Sequence, residues 1–150
     1  MKVDPYTAGK FTASPYAAKT DVTGTLAVVL RGTMTDRGLE LIKPISRCIR
    51  RHDIHELILT DDPDAKPGSR VDRIAYLGFV AVDAGGVIVS GDDVLVDGRR
   101  IGTLAGFDET HMPNHFNIVI KADRLADGVE RGAGLGMAVR FTAAARPQDR

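Results

Sequence analysis

From residue 70 onward, short apolar or alternating runs follow one another at strand length, at residues 73–82, 87–89, 94–96, 100–104, 116–120 and 137–141. A side-chain period of two marks a half-buried strand, because successive residues point to opposite faces. In FNIVIK, Phe116, Ile118 and Ile120 fall on one face, with Asn117 and Lys121 on the other. Turn dipeptides separate the runs, and Gly85-Gly86 and Asp97-Gly98 are hairpin signals.

The first half is less regular. Residues 23–30 (TGTLAVVL) are rich in branched apolar side chains, and 39–45 and 56–60 are short apolar runs. Pro44 confines the first of these short runs to an edge or ends it. Residues 61–68 (DDPDAKPG) form a surface loop. Helical turns are the alternative reading at 35–41, 46–52 and 122–125, each too short for a stable helix alone. Residues 1–20, with Pro5, Gly9 and Pro15, read as an N-terminal arm, loose or docked, and 143–150 as a frayed tail. The body, 21–142, is predicted to be a single all-β domain. Many short strands with closely spaced turns imply a small closed or partly closed β-barrel, whose mouth is a common ligand site.

Composition narrows the function classes. The 150 residues hold 20 basic and 20 acidic side chains, so no global field draws the chain to nucleic acid or to an anionic membrane. No apolar run approaches the roughly 20 residues that span a bilayer. The N-terminus lacks a signal peptide's apolar core. One cysteine, Cys48, excludes an internal disulfide framework. These features predict a cytoplasmic protein, and the Ala-, Arg-, Asp- and Gly-rich composition suits a bacterium. Arms and barrel edges that pair predict a homodimer.

The chemistry concentrates in two stretches. All four histidines lie in RHDIHE (His52, His55) and THMPNH (His111, His115). Histidine is the common metal ligand and the acid–base group of neutral pH. The catalytic candidates are His111 and His115, with Asp108 or Glu109 orienting an imidazole. Arg47, Arg50 and Arg51 are candidate clamps for an anionic metabolite, because guanidinium forks bind carboxylate or phosphate. His55, Asn114 and Asn117 complete the candidate binding set. A divalent metal on His52, His55, His111 and His115 requires turns: extended backbone would separate the Cα atoms of His111 and His115 by roughly 13 Å. Pro113 and Asn114 favour such a turn. No established zinc spacing is present.

Each feature also has a plain structural reading. The 106–117 loop is ordinary turn chemistry, tied by its own Asn and Thr side chains. The arginines are a solvated basic turn facing acidic neighbours. Cys48 is a nucleophile if flanking cations activate it, but a buried small hydrophobe is the more common fate. GAGLG at 132–136 lacks the strand and helix of a dinucleotide fingerprint and reads as a turn.

The order of motifs from about residue 79 to 141 resembles the glucitol/sorbitol-specific IIA component of the bacterial phosphotransferase system. The carriers are Gly91-Asp92 and the strand after it, the turn and strand of DGRRIGTLAGF, His115 entering a strand that leads to Asp123, and Gly136 before the final strand. The resemblance implies a small closed barrel. That family's phosphorylatable histidine would lie in GFVAVDAGG, residues 78–86, where there is none, so the fold is implied and phosphate relay is not. RGLELIKPISRCIRRHDIHELILTD and GFDETHMPNHFNIVI also resemble uncharacterised bacterial proteins of similar length. Three functions stay open: a small-molecule enzyme using isomerisation, cyclisation or addition–elimination chemistry, a non-catalytic binding or carrier-like barrel, and a structural or interaction domain.

Overall fold

A computed structural model of the chain describes residues 15–144. The strands are β1 (Val22–Val29), β2 (Thr33–Met34), β3 (Leu39–Glu40), β4 (Ser46–Ile49), β5 (Ile54–Thr60) and β6 (Arg70–Val71), then β7 (Ile74–Ala84), β8 (Gly86–Val89), β9 (Asp93–Val96), β10 (Arg99–Asp108), β11 (Asn117–Ala122) and β12 (Ala138–Thr142). There is no helix among the described residues, and so none long and apolar enough to cross a membrane. The three segments allowed as helical turns are instead strand or loop. Residues 46–49 pair antiparallel with β8, where cross-strand hydrogen bonds outweigh weak local helix preference.

Seven strands close into a barrel in the order β1-β12-β9-β10-β11-β5-β7, with β7 returning to β1. Every neighbouring pair is antiparallel except β11 and β5, which run parallel with Asn117 opposite Glu56. So small a barrel needs strongly coiled strands, and glycines permit the close approaches. A Cβ at Gly102 would lie 2.2 Å from the Lys121 carbonyl oxygen, and one at Gly24 would lie 2.4 Å from that of Ala81. Register shifts beside both residues mark bulges that bend the wall.

Two apolar clusters sandwich part of this wall. The interior takes inward side chains from all seven strands, including Leu26, Leu57, Leu77, Phe107, Ile118 and Phe141. A second cluster lies outside, where the β3–β6 ribbon covers Ile58, Ile74, Ala105 and Val119. Burial on both faces explains the unbroken apolar runs Leu57-Ile58-Leu59 in β5 and Ile118-Val119-Ile120 in β11.

The β4–β8 ribbon lies across one end of the barrel and contributes Ile49 and Ile88 to the interior. The Asp97-Gly98 hairpin forms as expected, joining β9 to β10 with positive φ at both residues. The Gly85-Gly86 hairpin does not. It connects β7 to β8, yet β8 pairs with β4. Gly85 instead lets two backbones approach closely, since a Cβ there would lie 2.7 Å from the Ile49 carbonyl oxygen. Residues 15–20 dock at the ribbon end, through Tyr16 Oη to Ser46 Oγ at 2.6 Å and Lys19 Nζ to Asp92 Oδ2 at 2.9 Å. The rest of the expected arm, 1–14, and the tail from 145 lie outside the described residues.

Candidate functional site

The ribbon end of the barrel gathers the starts of β5 and β11, the end of β10 and the 109–116 loop. The turn expected around Pro113 forms, with Asn114 N donating to the His111 carbonyl at 3.0 Å and a cis Met112–Pro113 peptide. It brings the His111 and His115 rings to 5.1 Å between centroids. Strand alternation then sorts their neighbours. Leu57 and Leu59 face the interior, so Glu56 shares the outer face with Ile58 and Thr60. Parallel pairing with β11 sets Glu56 beside the residue that enters that strand, His115.

The product is a compact triad. Glu56, His111 and His115 each present a ligand atom, all within 4.8 Å of one another. Glu56 is 7% exposed and His115 9%, while His111 is open to solvent. His115 Nε2 lies 3.2 Å from Glu56 Oε1, and Asn114 Nδ2 lies 2.9 Å from His115 Nδ1. If the amide donates to Nδ1, the ring proton sits on Nε2 and points at the carboxylate. Phe79 packs edge-on against the His115 ring at 5.1 Å.

Cations flank the triad. Arg37 Nη2 lies 3.5 Å from His111 Nε2. Arg47 pairs with Glu109 at 2.8 Å and holds its guanidinium carbon 4.5 Å over the Phe116 ring. Phe116 in turn stacks with His55 at 3.7 Å.

His55 therefore belongs to the packing rather than to the triad. Its Nδ1 accepts the Phe116 N–H at 3.3 Å. Its Nε2 is buried with no hydrogen-bond partner among the described residues, and Asp53 Oδ2 stands 3.6 Å away. Burial pushes the His55 pKa down, against the pull of Asp53.

Several sequence-based assignments change. Among the described contacts, neither Asp108 nor Glu109 meets an imidazole; Glu56 does, at His115. Asp108 is buried and accepts hydrogen bonds from Glu40 N, Thr110 N and Asn117 Nδ2, which makes it a knot between elements. Asn117, expected to bind substrate, spends its amide on that knot. Asn114 supports His115. Arg50 turns back to Asp53, whose carboxylate is held below the usual range by the Arg50 backbone N–H, and Arg51 is exposed in the same turn. The four-histidine metal set does not assemble. His52 is an exposed turn residue at φ 76° and His55 points inward, so only His111 and His115 of the four join the triad. Cys48 is exposed, not the buried hydrophobe its apolar neighbour suggested, because alternation on β4 turns Ile49 inward.

The residues missed were Glu56 and Arg37. A carboxylate directly before the apolar run Leu57-Ile58-Leu59 was the available signal for Glu56. Nothing local marked Arg37, which comes from 74 residues before His111. The segments 46–56 and 106–117 do meet, yet a cavity of about 480 Å³ lies at the opposite end of the barrel, lined by residues such as Leu77, Arg99, Lys121 and Arg131.

The chain belongs to a family of unknown function, DUF6917, whose model matches residues 16–142. No curated protein and no solved structure matches the chain significantly.

Proposed function

For this member of the family, we propose a metal-dependent small-molecule enzyme in which Glu56, His111 and His115 hold one divalent transition-metal ion. One observation carries the reading: two imidazoles and a carboxylate, separated by up to 59 residues between Glu56 and His115, present ligand atoms within 4.8 Å. Two imidazoles with one carboxylate suit zinc, and as a facial set suit non-haem iron. Glu56 adds a second argument. A buried carboxylate normally has a cationic partner or a metal, and here its one hydrogen-bond donor among the described residues is His115.

Three protein ligands leave coordination positions open, so the ion can polarise a carbonyl or a bound water. His115 would give up its Nε2 proton to bind, and a half-turn of the Asn114 amide would then let its oxygen accept from Nδ1–H. Arg37 repels a bare cation, and an anionic substrate lying between them would offset that cost. The resulting chemistry is proton transfer beside a polarised carbonyl or carboxylate, as in isomerisation, cyclisation or addition–elimination.

The test is metal content of the untagged protein by mass spectrometry, followed by Zn(II), Mn(II) and Fe(II) titration. We expect close to one equivalent in the wild type and its loss in Glu56→Gln, His111→Ala and His115→Ala, with the fold monitored by circular dichroism. Because His111 is exposed, its variant should fold normally. Metal retained by folded His111→Ala, or no metal binding by wild type, refutes the proposal.

A further inference from the structure

The cavity at the far end of the barrel is not used by the metal reading. The β9–β10 turn, the end of β11 and the 123–137 connection surround it. Its volume, about 480 Å³, falls within the roughly 300–1,000 Å³ typical of small-molecule sites. The apolar part of its lining is Leu77, Val96, Ile101, Ala133 and Met137, all packed into or against the interior cluster. Five cations and two carboxylates, Asp97 and Asp123, supply the charge.

The cations are not equivalent. Arg100 is committed to Asp93, with Nε 2.7 Å from Oδ1. Lys121 Nζ donates to the Pro63 carbonyl at 3.3 Å. Arg131 is held by two carbonyls, Nε to Ala126 O at 2.9 Å and Nη2 to Arg124 O at 2.8 Å. Carbonyls fix a guanidinium in place but do not cancel its charge. Burial and the nearby Arg124 push the Arg131 pKa down, against Asp123 and Glu130. Arg99 and Arg124 are exposed and make no ion pair with another described residue. Besides Arg100, four cations and two carboxylates line the cavity, with Glu130 also near Arg131, so this end of the barrel stays cationic.

We propose that this cavity binds an amphipathic anion, a phosphate monoester with an apolar body, its phosphate on Arg99, Arg124 and Arg131 and its body on the apolar lining. A phosphate monoester carries about −1.5 to −2 at neutral pH and three acceptor oxygens, more than a single carboxylate offers to three guanidinium groups. Arginine forks suit its oxygens. This site is independent of the metal triad, and its test excludes metal.

The experiment is calorimetric and amide-NMR titration of the full chain in EDTA, with phenyl phosphate, 1-naphthyl phosphate, inorganic phosphate and phenol. We expect an aryl phosphate to bind with a Kd below about 1 mM, at least about tenfold tighter than inorganic phosphate or phenol. Amide shifts should concentrate at 97–102 and 121–137. Arg99→Gln/Arg124→Gln should weaken binding about tenfold or more with the thermal midpoint unchanged. That pair decides the matter, because Arg131→Gln also frees two carbonyls and so perturbs the fold. Absence of aryl phosphate binding, shifts confined to 52–56 and 109–117, or full affinity in the double variant would each overturn the proposal.

Discussion

Replacing Asp108 separates a scaffold role from a catalytic one. Asp108 is 2% exposed at the end of β10, and its carboxylate takes three hydrogen bonds. Oδ2 accepts from Glu40 N at 3.1 Å, and Oδ1 from Thr110 N at 2.9 Å and Asn117 Nδ2 at 3.1 Å. These bonds join the outer ribbon, the histidine loop and β11. Bonds to a charged group contribute about 1.5–3 kcal/mol each, but burying the carboxylate offsets part of the sum. In Asp108→Ala the two backbone donors are only part-buried, so water can reach them. Asn117 is fully buried and its Oδ1 has no partner among the described residues, so the side chain loses the one bond it makes to them. A newly unsatisfied buried donor costs about 1–3 kcal/mol, and with the lost charged bonds the net is about 3–5 kcal/mol. At about 2–4 °C per kcal/mol for a domain of this size, the melting temperature falls by about 6–20 °C. Urea denaturation at pH 7 and thermal melts measure this, with Asp108→Asn expected to lose about half as much. An Asp108→Ala variant as stable as wild type, with metal binding lost, would refute the scaffold argument and return Asp108 to the role of orienting an imidazole.

Two further outcomes follow from buried charge. Lys19 stands 2.9 Å from Asp92, whose pKa is raised because burial outweighs the bonds from Lys19 and Val89 N. Lys19→Met leaves that carboxylate unpaired and should cost about 3–5 kcal/mol at pH 7. A raised folded pKa favours the native state at low pH, so the loss should shrink as Asp92 protonates; an equal urea-midpoint loss at pH 7 and pH 4 would contradict this. For His55 the sign is opposite. Burial lowers its pKa below 6.5, so the unfolded chain binds more protons, and stability held above 6.5 is lost as pH falls through the lowered value. With chelator present, the urea midpoint of wild type should drop between pH 7.5 and 5, and His55→Asn should flatten the curve; equal slopes would rule His55 out.

How much of this was legible beforehand depends on how local the cause is. Period-two runs and turn residues announce strands from neighbouring positions alone, so the all-β barrel, the Asp97-Gly98 hairpin and the turn at Pro113 could be read directly. The density of His, Asp and Glu likewise marked the 106–115 loop. What the sequence alone determined was which residues alternate, where the chain turns, and which segment carries imidazoles. Pairing partners are another matter, because a strand's pattern does not say which strand it meets. Gly85-Gly86 looked like a hairpin, but β8 gains more by closing the barrel end against β4. Only the parallel register of β5 on β11 brings Glu56 to His115, and only the outer ribbon turns Asp108 from a candidate partner of an imidazole into a buried knot. The cationic cavity has the same origin: Arg99 on β10 is distant in sequence from Arg124 and Arg131 in the 123–137 connection, and closing the barrel draws their charges together at one end.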